Sequence, residues 1–478
     1  MTEQQSTTLS PEHSQMLNHF QLQKQAFNAK PMPSLDERHK LLDNLREALL
    51  KHKDALCNAL DQDYNGRSHQ DTLISDILPC LMNIKYTKKR LKKWMRTERR
   101  HAGLLLAPAK IEVHYQPLGV VGIVVPWNFP VMLSIGPLIT ALAAGNRAMI
   151  KLSEFTPSTN KVLIAMLEEA FDTEQVVCIE GEAELAAQFT SLPFDHLLFT
   201  GSTTVGRHVM RAAADNLTPV TLELGGKSPA IVGPDVDIDN AVDRMILGKS
   251  LNAGQICVAP DYVLVPRAKQ DAFVQAYKAK FAQMYPQGVN SDDYTSVVNE
   301  RQYQRLLSWL EDAKQKGATV NICLEGKHLD DQRQRLTPHL LTDVNDDMTV
   351  LQDEIFGPLL PIIPYDSIDD ALQYITARPR PLALYLYSYD QKLQQRIISQ
   401  THAGGMCINN ALFHVAADDA PFGGVGPSGM GHYHGIEGFK VFSKAKTVLN
   451  QGKFSSGAFI QPPYGTAIQK LIFKLFLR

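Results

Sequence analysis

The stretch "LGVVGIVVPWNFP", residues 118 to 130, decides the fold. It is a continuous apolar run that ends at Pro126. A run of this length without polar alternation reads as a strand buried on both faces, the kind found in parallel sheets covered by helices. Working outward, a helical pattern follows through Ala144. Then come "AMIKLSE" (strand), "PSTNKVLIAMLEEAF" (helix), "QVVCIEG" (strand), "AELAAQFTS" (helix), "HLLFTGS" (strand) and "TVGRHVMRAAADN" (helix). Such alternation predicts an α/β fold with a Rossmann-like parallel sheet. After Glu223 the alternation restarts with "PAIVG", "DNAVDRMILGKSL", "DYVLVP" and "QDAFVQAYKAKFAQ", which reads as a second α/β domain. Upstream, residues 15 to 100 are helical in pattern. Leu41, Leu42, Leu45, Leu49 and Leu56 keep close to a 3.6-residue period, and Ser34 with Glu37 resembles a capping box.

The chain has 478 residues, enough for two or three domains with a large core. Its net charge of −2 gives no electrostatic case for nucleic acid or an anionic membrane as a general partner. The N-terminus "MTEQQSTTLSPEHSQ" lacks the layout of a secretory signal, and no apolar run is long enough to span a bilayer. Cysteines 57, 80, 178, 257, 323 and 407 are dispersed without CxxC pairs. They suit neither a disulfide framework nor a metal site, so we expect no metal, and a reducing, cytoplasmic compartment.

Several polar residues stand at strand ends. Gly201 and Gly206 flank a strand-to-helix turn, where glycines let the backbone approach a pyrophosphate at the helix N-terminus. The spacing is GxxxxG, not GxGxxG, and a plain strand–helix connection competes with that reading. Lys151 and Glu154 in "MIKLSEFTPS" follow a strand and could meet ribose hydroxyls, or simply form an exposed ion pair. In "TLELGGKSPAIV", Glu223 precedes two glycines, where a carboxylate has room to swing. "PWNFP" presents Asn128, whose amide could donate to a developing oxyanion. "LNAGQICVAPD" carries Cys257 among small residues, and "EIFGP" carries Glu354 and Phe356. Taken singly, each serves equally well as a turn residue or a satisfied buried group.

Taken together and in this order, these residues resemble the NAD(P)-dependent aldehyde dehydrogenase superfamily, over about residues 20 to 450. "TLELGGKSP" and "GQICVAPD" are highly specific signatures, and "EIFGP" and "PFGGVGPSG" agree with them. "VAPDYVLVP" and "PLALYLYS" look like the class 3 branch. The 193–232 stretch and the "PPYG" extension are most similar to the bacterial coniferyl aldehyde dehydrogenases.

The resemblance implies oxidation of an aldehyde, aromatic and coniferaldehyde-like, to its acid. Cys257 would be the nucleophile, passing through a thiohemiacetal and a thioester. Asn128 and the Cys257 backbone N–H would hold the oxyanion, and Glu223 would activate water. For the cofactor, Lys151 and Glu154 would meet the adenosine ribose, while Gly201, Ser202 and Gly206 would form the pyrophosphate turn. Glu354 would hold the nicotinamide ribose with Phe356 packed nearby. NAD is expected, with NADP as the alternative. Leu152 departs from the family, which often has Pro there. Phe129 and Phe413 are candidates to face the substrate ring, with core packing as the competing role.

The resemblance also implies an NAD-binding domain (1–98 and 118–223), a catalytic domain (224–427), bridging segments (99–117 and 428–450) that would pair in a homodimer, and a 451–478 extension. Three rival activities stay open: a medium- or long-chain aliphatic aldehyde dehydrogenase, a CoA-acylating one, and a cysteine hydrolase or acyltransferase. Glu223 disfavours the second. The absence of a His beside Cys257 disfavours the third.

Two charged segments remain. "KKRLKKWMRTERRH" (88–101) reads as a solvated helix face leading into the bridging strand, with an anionic partner as the alternative. In "TAIQKLIFKLFLR", Lys470, Lys474 and Arg478 recur every four residues, so a helix would align them beside an apolar face. Such a helix would dock on this subunit or its partner, or make weak peripheral membrane contact.

Overall fold

A computed structural model describes residues 10–103, 106–453, 457, 459 and 461–477. Val120–Val124 forms the middle of a six-stranded sheet, between His196–Thr200 and Arg147–Lys151. Outside these lie Val176–Ile179 on one edge and Val220–Glu223 toward the other. All five are parallel, and Gly429–Met430 adds an antiparallel edge to Val220–Glu223. Residue parity explains the unbroken apolar run. Val121, Ile123, Ala148, Ile150 and Leu198 enter one core. Val120, Met149, Leu197 and Phe199 enter a second core with Met16, Phe20 and Phe189 on the opposite face. Each fully buried aliphatic side chain contributes about 1.5–3 kcal/mol, which is why both faces must be covered.

The helices follow their end signals. Leu35–Tyr64 starts at the Ser34–Glu37 capping box and stops at Asn65 in the left-handed region. Pro130–Ala144 begins with proline in its first turn and ends at Gly145, φ 91°. Its apolar residues are buried nearly all round, because it is wedged under the sheet.

The second sheet has seven strands, in the order Thr319–Ile322, His339–Thr342, Leu359–Tyr365, Tyr262–Pro266, Pro229–Val232, Ala383–Tyr387 and Gly405–Ile408. All are parallel except the Thr319–Ile322 edge. A third, antiparallel sheet joins Glu98–Arg100, Lys110–Pro117 and Ser443–Asn450. Within the 428–450 segment, only Ser443–Asn450 enters this sheet. Gly429–Met430 stays on the first sheet, and Gly435–Val441 is a helix packed against Pro130–Ala144. Of the basic run, residues 88–94 end the Leu78–Trp94 helix, with Lys88 paired to Asp43 and Trp94 buried, and the run then leads into the Glu98–Arg100 strand. Among the described residues, no helix is long and apolar enough to cross a membrane.

Strand order in the first sheet reverses between Val120–Val124 and His196–Thr200. Ligands in open α/β sheets bind beyond the carboxyl ends of strands at such a reversal. Asn128, Lys151 and Gly201–Ser202 all follow those ends.

Candidate active site

Cys257 lies in the loop between the short Leu247–Ser250 helix and the Tyr262–Pro266 strand. Every residue from Asn252 to Pro260 is buried except Cys257, which keeps partial access. The loop is shaped by Asn252 and Ala253, both left-handed at φ 49° and 51°. Gln255 anchors it. Its amide donates to the Asn252 carbonyl at 2.9 Å and the Ser296 carbonyl at 3.0 Å, and its oxygen accepts from the Val298 N–H at 3.0 Å. Asn128 closes on the same loop: its Nδ2 donates to the Gln255 carbonyl at 3.1 Å. One N–H of that amide is thereby held, and the other remains for a ligand.

Carboxyl groups surround the thiol. Glu223 ends the Val220–Glu223 strand, is 3% exposed, and has no hydrogen-bond partner for either oxygen among the described residues. Burial therefore lifts its pKa well above the usual carboxylate range. Glu354 rises to about 8, through burial first and then the charge of Asp261, against the Gly226 N–H and nearby lysines. It lies so close to Gly225 that a Cβ there would overlap its carboxylate. Burial and the charges of Glu354 and Glu223 push the Cys257 thiol up to about 12. Lys249 is fully buried without a hydrogen-bond partner for Nζ among the described residues, and burial lowers it to about 8. Asp261 is better satisfied: it pairs with Lys227 and accepts from the Ile355 N–H at 2.9 Å.

A second group gathers at the ends of the first sheet. Lys151 is 1% exposed and donates to the Leu152 carbonyl at 2.6 Å, and burial lowers its pKa. Glu154 is exposed three residues on. Leu152 donates its N–H to the Ile179 carbonyl at 3.0 Å, a bond proline could not make. Ser202 caps the Thr203–Asp215 helix by accepting from the Val205 N–H, and its hydroxyl proton stays free to donate outward. Gly201 and Gly206 do not have positive φ. Gly206 instead answers a packing demand, since a side chain there would meet Leu224 at 2.7 Å. Phe356, at φ 47°, packs edge-on against Trp127 with ring centroids 5.2 Å apart.

The two substrate candidates separate. Phe129 is 9% exposed within the main core, with the Arg67 guanidinium 5.1 Å from its ring centroid. Its placement is that of a packing residue. Phe413 is 57% exposed on a short 3-10 turn.

Residues 12–448 match the model of the aldehyde dehydrogenase family. The chain belongs to the aldehyde dehydrogenase family. It is 55% identical over 460 residues to a Pseudomonas aeruginosa protein named "Probable coniferyl aldehyde dehydrogenase", covering 96% of each chain. A solved Staphylococcus aureus AldH, in a substrate-bound state, is 38% identical with a TM-score of 0.91, over 97% of this chain and 99% of that one. A Mycobacterium tuberculosis aldehyde dehydrogenase complexed with NAD+ is 31% identical with a TM-score of 0.83, over 92% and 91%.

For an aldehyde dehydrogenase, three buried titratable residues carry no signal in the sequence: Tyr433, His434 and Lys249. Tyr433 is buried and feels the charges of both Glu223 and Cys257. His434, lowered to about 4 by burial, stacks on Phe422 with centroids 5.5 Å apart. Both belong to "GHYHG", which reads only as aromatics in a glycine-rich loop. Lys249 resembles an ordinary helix lysine, and only its burial distinguishes it.

Proposed function

We propose that this aldehyde dehydrogenase oxidises a conjugated aromatic aldehyde, coniferaldehyde or a near relative, to the acid. One observation carries the reading: the partly accessible Cys257 thiol feels the charge of a buried carboxyl, Glu223, that has no hydrogen-bond partner among the described residues, with an amide N–H tied to the same loop. The Cys257 sulfur attacks the carbonyl carbon and its proton leaves to a base. The Asn128 N–H and the Cys257 backbone N–H hold the resulting oxyanion. NAD, when bound, supplies the acceptor for the hydride, and the thioester remains on Cys257. Glu223 then takes a proton from water, the hydroxide adds to the thioester carbon, and the acid leaves as the thiol is restored.

The residues at the sheet ends fit the cofactor. An exposed carboxylate at Glu154 suits ribose hydroxyls, and the Ser202-capped helix N-terminus suits a pyrophosphate. Lys151 would assist the first contact, and Gly201 and Gly206 would let the backbone come close. Glu354 and Phe356 would take the nicotinamide end. Glu154 would repel a 2′-phosphate, so NAD is preferred to NADP. The domain reading follows the sheets: cofactor binding in 1–98 and 118–223, catalysis in 224–427, bridging in 99–117 and 443–450.

An aromatic substrate is supported by the rings near Cys257. Tyr385, His414, Phe422, Tyr433 and His434 form a chain of contacts, and Phe413 stands exposed beside it. The test is NADH formation from a panel of aldehydes. A kcat/KM for coniferaldehyde above that for hexanal is expected. A large preference for hexanal would make it an aliphatic enzyme.

Two assembly proposals go with this reading. The exposed Ser443–Asn450 strand would pair across a homodimer, in a cytoplasmic protein with free thiols. Weak contact with anionic lipid would run through the Ala467–Phe476 helix. Ile468, Leu471, Phe473, Leu475 and Phe476 are 47–60% exposed there, so they are not docked on their own chain. Residues 451–478 hold no acid, and Lys470 and Lys474 lie on the helix, while Arg478 is outside the described residues. At about 15 Å the helix could only lie in an interface. Sedimentation with anionic vesicles at low salt should carry down full-length protein and spare a 466–478 deletion. If both stay in solution, the tail docks on the partner subunit instead.

A further inference from the structure

Asn128 is held from behind by a buried ion pair. Arg67 and Asp76 have fully buried side chains, joined at 2.6 Å between Nη2 and Oδ2. The other guanidinium arm, Nη1, donates to the Asn128 carbonyl at 2.8 Å. Asp76 uses its second oxygen to accept from the Val131 N–H at 3.1 Å and the Met132 N–H at 2.9 Å. These are free N–H groups at the start of the Pro130–Ala144 helix, where a carboxylate is favoured. The guanidinium is sandwiched, 5.0 Å from the Tyr64 ring centroid and 5.1 Å from that of Phe129. Two more donors reach the Asn128 carbonyl, the Tyr64 hydroxyl and the Asn252 amide, each at 3.1 Å. Asn252 belongs to the Cys257 loop, and its Nδ2 also lies 3.3 Å from the Gln255 carbonyl that receives the Asn128 amide.

We propose that Arg67 is a positioning residue for the Asn128 amide, with Asp76 as its anchor. Neither touches substrate. Three donors on one carbonyl fix the Asn128 peptide, and the Gln255 carbonyl fixes its side chain. The distance between oxyanion donor and thiol is therefore set by Arg67, Tyr64 and Asn252 acting on one peptide unit. A buried ion pair is weak evidence for net stability, since desolvation offsets its attraction. The rigid two-armed fork of arginine reaches carboxylate and carbonyl together, which lysine cannot do. The proposal rests on the reading of Asn128 as the oxyanion donor.

A double-mutant cycle tests it. Arg67→Lys keeps the charge opposite Asp76 and gives up the second arm. Displacing a reacting group by about 1 Å costs roughly 10²-fold, so a loss of about ten- to a hundredfold in kcat is expected. KM and NAD affinity should move by less than about threefold. In an Asn128→Ala background, the same Arg67→Lys change should cost about twofold or less, because nothing is left to position. Equal losses in both backgrounds would overturn the proposal and make Arg67 a general stabiliser. If Asn128→Ala alone leaves kcat unchanged, the oxyanion reading fails first, which is a separate result. Should Arg67→Lys not fold by circular dichroism, Tyr64→Phe removes one donor to the same carbonyl without touching the buried charges. It should show the same dependence on background at a smaller size, and additivity there would equally overturn the proposal.

Discussion

Cofactor-free enzyme should have a sluggish thiol. Burial, Glu354 and Glu223 hold Cys257 at about 12, against about 8.5 for a free cysteine. At pH 7.5 the thiolate fraction is then about 10⁻⁴·⁵ instead of about 10⁻¹, a deficit of about 3,000-fold. A more basic thiolate is also more nucleophilic, with a Brønsted slope of about 0.4–0.5 toward disulfides, which returns about 40-fold. The net expectation is attack on a dipyridyl disulfide about a hundredfold slower than by a cysteine peptide. The assay follows thiopyridone release, with the rate of Cys257→Ala subtracted for the other five thiols. The rate should climb about tenfold per pH unit up to about pH 10, since only the thiolate reacts. Glu354→Gln removes the larger of the two charges and should move that curve to lower pH. Levelling off below pH 8, or a rate matching the peptide, would refute the argument. Burial would then be outweighed by the loop N–H groups of Cys257 and Val258, which pull the other way.

Further outcomes follow from the same geometry. Cys257→Ala should abolish NADH formation and hydrolysis of an aryl acetate together. Asn128→Ala should lower kcat by roughly 10²–10³ with a smaller change in KM. Glu223→Gln should leave a rapid burst of NADH and slow the steady state, because deacylation needs the base. In stability the sign is definite. The folded pKa of Glu223 lies above its unfolded value, so its contribution is complete below about pH 4.5 and is lost as pH rises through the folded pKa. The melting temperature of wild type relative to Glu223→Gln should fall as pH rises above about 4.5. Glu154→Gln should raise the NADP/NAD ratio of kcat/KM, and an unchanged ratio would end the repulsion argument.

The parallel sheet was legible because burial on both faces leaves a run without polar residues, as at Val120 to Val124. Helix starts were legible where a side chain does the capping, as at Ser34. Cys257, Glu223 and Glu354 stand out only as a set that resembles a family pattern, since each alone suits a turn residue or a satisfied buried group. Other features depend on distant chain segments. Arg67 and Asp76 act on a residue about sixty positions away, and nothing in "NGRSHQDTLISD" marks them as buried. The sequence leaves Phe129 between facing the substrate and packing in the core, and its side chain enters the core because adjacent side chains on an irregular turn diverge. The glycine spacing does not announce a second demand on Gly206, the contact with Leu224 across the helix–sheet interface that leaves no room for a side chain.

The distribution of charge around Cys257 has a further consequence. Glu223 and Lys249 are buried with no hydrogen-bond partner among the described residues, while Arg67, Asp76, Lys227 and Asp261 are paired and hydrogen-bonded. An unpaired buried ion is far costlier than a paired one, so burial raises the pKa of Glu223 and lowers that of Lys249 to about 8. The paired groups brace the Asn128 turn and the Ile355 backbone. The unpaired ones remain free to change protonation state during a turnover. A raised pKa makes the ionised carboxyl a stronger base toward water once it has given up its own proton. Satisfying Glu223 with a permanent hydrogen-bond donor would stabilise its ionised form and lower its basicity, and would also remove its freedom to reach water. Under the proposed role of Glu223 as the base toward water, its unsatisfied carboxyl is what keeps that basicity.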